Sequence, residues 1–292
     1  MQGAGKRQSR SHGHGGPIRS PSGTLPPRFE FPLHPKPWNT LPMMVVPRET
    51  DGMKPECPTG EGNRLLAALE PQDRALLEPL LERISLEVGD TLLTAGGPID
   101  HVYFLEGGIA AVLEVIDGER LHAVGLLGSD GYVGWPVLLG DDRSPHDVVL
   151  RAEPGTALRI PVDRLLEAVD KSESLQAALL RFVQVFLIQM GRTVVSALSH
   201  PVERRLARWI LLYHDRVRGD EIAMTHEEFR LMLAVRRSSI TDALHKLEET
   251  LAIRSLRGRV IVRNREKLLE MAAMTYGPAE EAYTRLVGPP VA

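Results

Sequence analysis

The sequence is short of the residues on which several chemistries depend. A single cysteine, Cys57, stands in 292 residues, so no internal disulfide can form and no all-cysteine iron–sulfur cluster can be held. That fits a reducing compartment. No uninterrupted apolar run reaches the ~18 residues a membrane helix needs, because the longest candidates carry Arg, Gln or Gly. The N-terminus has basic residues but no apolar signal core. A cytoplasmic protein with no membrane partner is therefore expected. A net charge of -3 excludes a chain coated in basic surface, so any contact with nucleic acid has to be local. No His-x-His pair occurs in the central region, where His101, His122 and His146 lie scattered. No metal, no cofactor and no catalytic residue is expected.

What is present reads as a soluble globular protein, with 43% hydrophobic and 25% charged residues. The length leaves room for two domains of ~150 residues. Residues 1–62 hold 11 of the 22 prolines, with many glycines and serines. Such a composition cannot bury enough apolar surface to offset ordering entropy, and a disordered extension is expected there. His12 and His14 belong to that polar tail.

Order is expected from Asn63. Leu65, Leu66, Leu69, Leu76, Leu77, Leu80 and Leu81 fall at helical spacing, with Pro71 opening a second helix. From Ser85 to about Pro161 short β-rich runs alternate with turn signals every ~8–12 residues, the pattern of a β-sandwich or barrel. Asp163 is read as the cap of a short helix, and Ser172 or Ser174 as the cap of a longer one. Leu175, Leu179, Phe182, Phe186, Met190 and Val194 mark an apolar stripe on that long helix, which Val183, Val185, Leu187 and Ile188 widen. A helix apolar nearly all round has to bury two sides. One side is expected on the β-domain and the other on a second copy, giving a homodimer through this helix. His200-Pro201 ends it.

The stretch from Met224 to Arg265 carries the functional signal. Thr225 is a natural N-cap, and Glu228 three residues on can close a capping box. Phe229, Met232 and Leu233 give a short helix one apolar face, and a break follows at Ala234-Val235. A second helix opens near Arg236, Arg237, Ser238 and Ser239, with Ile240, Leu244 and Leu247 facing inward. Its other face carries Arg237, Ser238, Asp242 and His245. Two short helices with paired arginines at the start of the second read as a helix-turn-helix. A hairpin, or wing, turns at Arg257-Gly258-Arg259. Five arginines (Arg254, Arg257, Arg259, Arg263 and Arg265) and no acid lie between Leu251 and Arg265, which suits phosphate contact. On this reading Arg236, Arg237, Ser238, Thr241, Asp242 and His245 are candidates for reading bases. Thr225, His226, Ser239, Arg257 and Arg259 are candidates for phosphate contact.

The ordered set resembles the Crp/Fnr family of bacterial transcription regulators over roughly residues 64 to 270. Its sharpest matches are Leu105-Glu106-Gly107-Gly108, the segment VERRLARWILL, and THEEFRLMLAVRRSSITDALHKLEE followed by the wing. The resemblance implies an α+β protein: a jelly-roll-like antiparallel β-roll, a long dimerisation helix and a C-terminal winged helix-turn-helix. The implied layout is an extension over 1–62, a cyclic-nucleotide-binding-like effector domain over 63–170 and the dimer helix over 171–200. The DNA-binding domain follows over 201–270, then a C-terminal helix and tail over 271–292. Double-stranded DNA, a second copy and RNA polymerase are the implied partners, and an inverted repeat is the implied operator.

The family's nucleotide cassette falls at Gly134-Trp135-Pro136 and Arg143-Ser144-Pro145. Trp135 stands where a glutamate would hold the ribose hydroxyl, and Trp cannot accept that bond. The polar pair that reads adenine falls at about Met190-Gly191, which lacks hydroxyls. Gly134, Trp135, Arg143, Ser144 and Met190 thus mark an effector pocket from which cyclic AMP is not expected to be bound. Arg143 has two readings, residual anion binding or a loop ion pair with Asp141 or Asp142. On the DNA side, Ser238 and Asp242 replace the family's glutamate and second arginine, so the operator should differ from the cyclic-AMP receptor's. The competing classes are a sensor module without DNA binding and a cupin-like metal enzyme.

Overall fold

The computed structural model describes residues 62–116 and 120–288. The extension expected over 1–62, with His12, His14 and Cys57, lies outside the described residues apart from Gly62. Asn63 stands at the head of the first described helix. Its Oδ1 accepts from Leu66 N at 3.0 Å and caps α1 (Arg64–Ala67), while Nδ2 donates to the carbonyls of Leu105 (2.8 Å) and Gly131 (2.7 Å). One buried amide thereby fixes where the first helix meets the β-domain. Pro71 is the first residue of α2 (Pro71–Leu77), where its missing N–H costs nothing.

The β-domain comprises β1 (Glu82–Leu86), β2 (Thr91–Leu93), β3 (His101–Leu105), β4 (Ile109–Ile116), β5 (Arg120–Leu127), β6 (Tyr132–Val133), β7 (Asp147–Arg151) and β8 (Gly155–Pro161). They pair antiparallel in two four-stranded sheets, of order β1-β8-β3-β6 and β2-β7-β4-β5. The first strand starts at Glu82, ahead of the change of texture at Ser85. Along β4 the side chains alternate between two cores. Ala110 and Val112 join the core between the sheets, and Ile109, Ala111 and Leu113 join one shared with the C-terminal domain. A strand covered on both faces has to be apolar throughout, which is why this run does not alternate in polarity.

Next comes α3 (Val162–Lys171). Its N-cap is Pro161 rather than Asp163, which sits inside the first turn and favours the helix dipole. The expected cap is displaced because the helix follows directly on the last residue of β8. Ser172 caps α4 (Glu173–Ser199), its hydroxyl accepting from Leu175 N at 3.2 Å.

The packing of α4 shows which of its two expected sides the stripe forms. Leu175, Leu179, Phe182 and Phe186, marked as the stripe of the dimer helix, form the side buried in the β-domain of their own chain, and Met190 packs half-buried beside them. The contact is close. A Cβ at Gly131 would lie 1.8 Å from Phe182 Cζ, and one at Gly125 would lie 2.7 Å from Phe186 Cε2. Gln189 extends the docking with polar groups, accepting from Leu126 N (2.7 Å) and donating to Leu126 O (3.2 Å). The exposed apolar residues are Leu187, Val194, Val195 and Leu198, one face further round, and of the expected stripe only Val194 is among them. By length and hydropathy α4 would suffice to cross a membrane, against the sequence expectation. Scattered polar residues lower its mean hydropathy too little to prevent that.

The C-terminal part comprises α5 (Val202–His214), β9 (Glu221–Ala223), α6 (His226–Leu233), α7 (Arg237–Glu249), β10 (Ile253–Leu256), β11 (Arg259–Val262), α8 (Arg265–Ala272) and α9 (Pro278–Leu286). The short strands form a sheet of order β10-β11-β9. The last helix returns to α4, and Tyr283 and Val287 pack on the first core.

Two buried arginines join the two parts. Arg208 Nε donates to Thr275 O and its Nη2 to Gln189 O, both at 3.0 Å. Arg216 grips Asp130 with Nη2 at 2.5 Å and Nε at 3.2 Å. Burial by itself would raise the Asp130 carboxyl, but the charges of Arg216 and Arg64 outweigh it and hold the group below its ordinary value. A folded-state value below the unfolded one gives stability that is present above the usual aspartate range and lost as pH falls through the folded value. Removing one partner of a buried pair costs about 3–5 kcal/mol. Asp130→Asn should lower unfolding stability by about that amount at neutral pH in urea titrations. The gap to wild type should close only below about pH 4.

Candidate nucleic-acid interface

The interface is built on α6, α7 and the β10–β11 hairpin. Thr225 caps α6, its hydroxyl accepting from Glu228 N at 3.3 Å. The second half of the expected capping box is absent. Glu228 points instead to Arg151 of β7, Oε1 to Nη1 at 3.4 Å, so the first helix of the motif is tied to the β-domain. Phe229, Met232 and Leu233 are buried as their spacing implies.

The turn rests on Ala234, which sits in the left-handed region at φ 54° and ψ 38°. Its N–H closes on Arg230 O at 3.0 Å, and Arg205 of α5 donates to the Leu233 carbonyl. Arg236 then enters α7 extended, at φ -67° and ψ 152°, with no side chain capping the helix. The N–H groups of the first turn are left open to an outside acceptor.

Ile240, Leu244 and Leu247 of α7 face the core. Arg236, Arg237, Ser238, Asp242 and His245 are exposed, and Ser239 and Thr241 are half-buried. Among the described residues neither Arg236 nor Arg237 has an ion-pair partner. Thr241 spends its hydroxyl on the Arg237 carbonyl (3.1 Å), and His245 Nδ1 lies 3.7 Å from Glu248 Oε2. The candidate base-reading residues therefore share one open face, with Thr241 set back from the rest.

The wing is held against both helices. Ser255 N donates to Glu248 Oε1 at 2.6 Å, and Met224 N donates to Gly258 O at 2.9 Å. The second bond brings Thr225 and His226 beside the turn Arg257-Gly258-Arg259. Gly258 needs its φ of 75°, which a side chain would strain. Arg257 is exposed, and Arg259 pairs with exposed Glu221 at 2.8 Å, a contact weak enough to yield to phosphate. Arg265 does not belong to the basic surface. It is drawn inside α8 to Asp215 (2.7 Å) and the Tyr276 hydroxyl (2.7 Å), and Nη1 donates to His214 Nδ1 (3.0 Å). Asp215 lies 50 positions from Arg265 and 61 from Tyr276, so sequence spacing could not have shown the network.

The cassette positions lie at a 3₁₀ turn and in the loop ahead of β7. Trp135 opens a 3₁₀ turn (Trp135–Leu139), and its ring stands 6.2 Å from that of Phe186. Arg143 forms no side-chain ion pair with Asp141 or Asp142 among the described residues: its Nη1 donates to Gly96 O (2.8 Å), and its backbone N meets Asp141 Oδ1 (3.0 Å). Ser144 is buried, with its hydroxyl on His146 O at 2.6 Å. A Cβ on Gly134, at φ 101°, would meet Val102 Cγ2 at 3.0 Å. Among the described residues no cluster of three or more His, Cys, Asp or Glu gathers as a metal site. The polar residues that reasoning from sequence missed, Asp130, Gln189, Arg208 and Arg216, each find partners far along the chain.

Comparison with known proteins matches this geometry. A cyclic nucleotide-binding domain family covers residues 83–172, and a Crp-like helix-turn-helix domain family covers residues 204–271. No curated protein matches the sequence. Among solved structures, FixK2 from Bradyrhizobium japonicum is 14% identical over 66% of this chain and 98% of its own, with a TM-score of 0.58. A CRP-family transcriptional regulator from Thermus thermophilus is 18% identical over 65% and 96%, at 0.54. The c-di-GMP responsive global regulator CLP of Xanthomonas campestris is 16% identical over 66% and 99%, also at 0.54. At these identities the likeness is one of fold.

A left-handed non-glycine residue costs about 1–2 kcal/mol, part of which glycine loses again as backbone entropy. Ala234→Gly should therefore raise stability by about 0.5–1 kcal/mol in thermal or urea unfolding, with the recognition face unchanged.

Proposed function

Because the chain belongs to the Crp/Fnr family of transcription regulators, we propose that it binds an inverted-repeat operator as a homodimer, with one α7 in each of two major-groove half-sites. The carrying observation is the start of α7, where open backbone N–H groups stand beside two arginines without an ion-pair partner among the described residues. Arg237 is assigned to a guanine edge, a bidentate contact of about 1–3 kcal/mol. Ser238, Asp242 and His245 modulate the sequence read, with Arg236 and the recessed Thr241 at its margin. Thr225, His226, Ser239, Arg257 and Arg259 take the phosphate backbone. Asp242 can accept from a cytosine amine and repels phosphate, which favours a site unlike the cyclic-AMP receptor's.

The dimer is assigned to the outer face of α4. Leu187, Gly191, Val194 and Leu198 follow at intervals of four, three and four, the seam of a two-stranded coiled coil. Leu198 is 83% exposed within one chain, and Leu187 and Val194 are 46% and 56% exposed. This seam is rotated from the stripe that spacing alone marks, whose large residues already serve the β-domain. We assign no role to cyclic AMP, since Trp135 and Phe186 face each other at the cassette and Arg143 is engaged by Gly96. RNA polymerase is the further partner this reading implies.

Fluorescence anisotropy on operator DNA separates the roles. Arg237→Ala should lose ~10–100-fold in affinity and relax specificity at one position. Arg257→Ala/Arg259→Ala should weaken binding to all sequences and reduce the salt slope by about 1 per lost phosphate contact. Equal affinity of wild type and both variants at moderate salt would refute DNA reading by this surface.

Sedimentation equilibrium tests the seam. Leu198→Glu should turn a dimer into a monomer while leaving unfolding of the chain cooperative. A dimer unaffected by this change would place the contact elsewhere.

A further inference from the structure

A cavity of about 70 Å³ lies between the β-domain, α4 and α9. That is room for about two waters at the ~30 Å³ each occupies in the liquid. Both parts of the chain supply its wall: Arg64 and Asp130 before and within the β-domain, Gln189 on α4, and Arg216, Glu280 and Tyr283 from the C-terminal side. The cassette positions Gly134, Trp135, Arg143 and Ser144 take no part in it.

The acids have partners: Asp130 in Arg216, Asp215 in Arg265 and the Tyr276 hydroxyl, and Glu280 in Gly277 N at 3.0 Å, with burial and then Asp215 holding the Glu280 carboxyl above its ordinary value. Arg64 Nε and Tyr283 Oη are buried without a hydrogen-bond partner, and so is Nη1 of the neighbouring Arg208. Arg64 has no ion-pair partner among the described residues, and its guanidinium stands 6.0 Å from the Tyr283 ring centroid. Both arginine nitrogens can only donate, and the tyrosine hydroxyl donates as well. Loss of hydration pushes Arg208 down to about 10, against the opposing charge of Glu280. Buried donors without partners, two of them on cationic guanidinium groups, call for an occupant that accepts and carries negative charge.

We propose that this cavity is a binding site for a small planar oxyanion, a carboxylate of formate or acetate size or an inorganic ion such as nitrate or bicarbonate, held by Arg64 Nε and Tyr283 Oη. Such an anion touches the first helix of the β-domain and the last helix of the chain together, so its binding strengthens their docking. The site rests on these contacts and not on DNA binding.

Calorimetric titration and thermal unfolding of the full-length protein test it, using sodium formate, acetate, nitrate and bicarbonate against sodium chloride at equal ionic strength. At least one of the four should bind saturably and raise the melting temperature beyond chloride. The organic and inorganic arms then tell which class of anion fits. Tyr283→Phe and Arg64→Met should each weaken that binding tenfold or more. Without anion, Tyr283→Phe should melt no lower than wild type, because it removes a hydroxyl that has no partner. Four salts indistinguishable from chloride, or binding kept in both variants, would reduce the cavity to a pair of waters and overturn the proposal.

Discussion

The structure depends on how closely α4 enters the β-domain. Phe182 and Phe186 occupy the space that side chains at Gly131 and Gly125 would otherwise fill. Interiors are packed too densely for either glycine to give way to a larger residue without moving the helix. That single fit has three consequences. It fixes the axis of the longest described helix, it places an aromatic ring at the nucleotide cassette beside Trp135, and it leaves Leu187, Val194, Val195 and Leu198 exposed on another face of α4.

The same helix carries the link to the C-terminal part. Gln189 spends its side chain on Leu126 and its carbonyl on Arg208, so β5, α4 and α5 meet at one residue. Around this point the contacts become charged: Asp130 with Arg216, Asp215 with Arg265, Arg151 with Glu228. Buried ionic contacts of this kind contribute little net stability beside apolar packing, but breaking one leaves an uncompensated charge. They therefore favour one relative placement of the DNA-reading helices over others. In such a junction the occupancy of one small cavity acts on both parts.

Much of this was legible in the sequence, and the reason differs by element. The helix-turn-helix could be read because caps, apolar spacing and a break are local signals: Thr225, Phe229, Ile240 and Leu244 announce themselves within a few residues. The β-domain showed through its evenly spaced turns. The outer and inner faces of α4 were not separable, since apolar residues nearly encircle it and only the glycines of β5 and the β5–β6 connection say which side goes in. Glu228 fitted a capping box by spacing, yet its partner proved to be Arg151, far back in the β-domain. Arg265 looked like one more wing arginine until the fold brought Asp215 and Tyr276 to it. Reach along the chain, not residue type, is what hid these pairs.

Genome-wide mapping of the sites bound by the protein tests the central claim most directly. A homodimer presenting two α7 helices should return a recurrent inverted repeat with half-sites about one helical turn, ~34 Å, apart. Its sequence should differ from the cyclic-AMP receptor's site because Ser238 and Asp242 stand on the reading face. Bound regions that share no motif, or a motif without two-fold symmetry, would contradict the account.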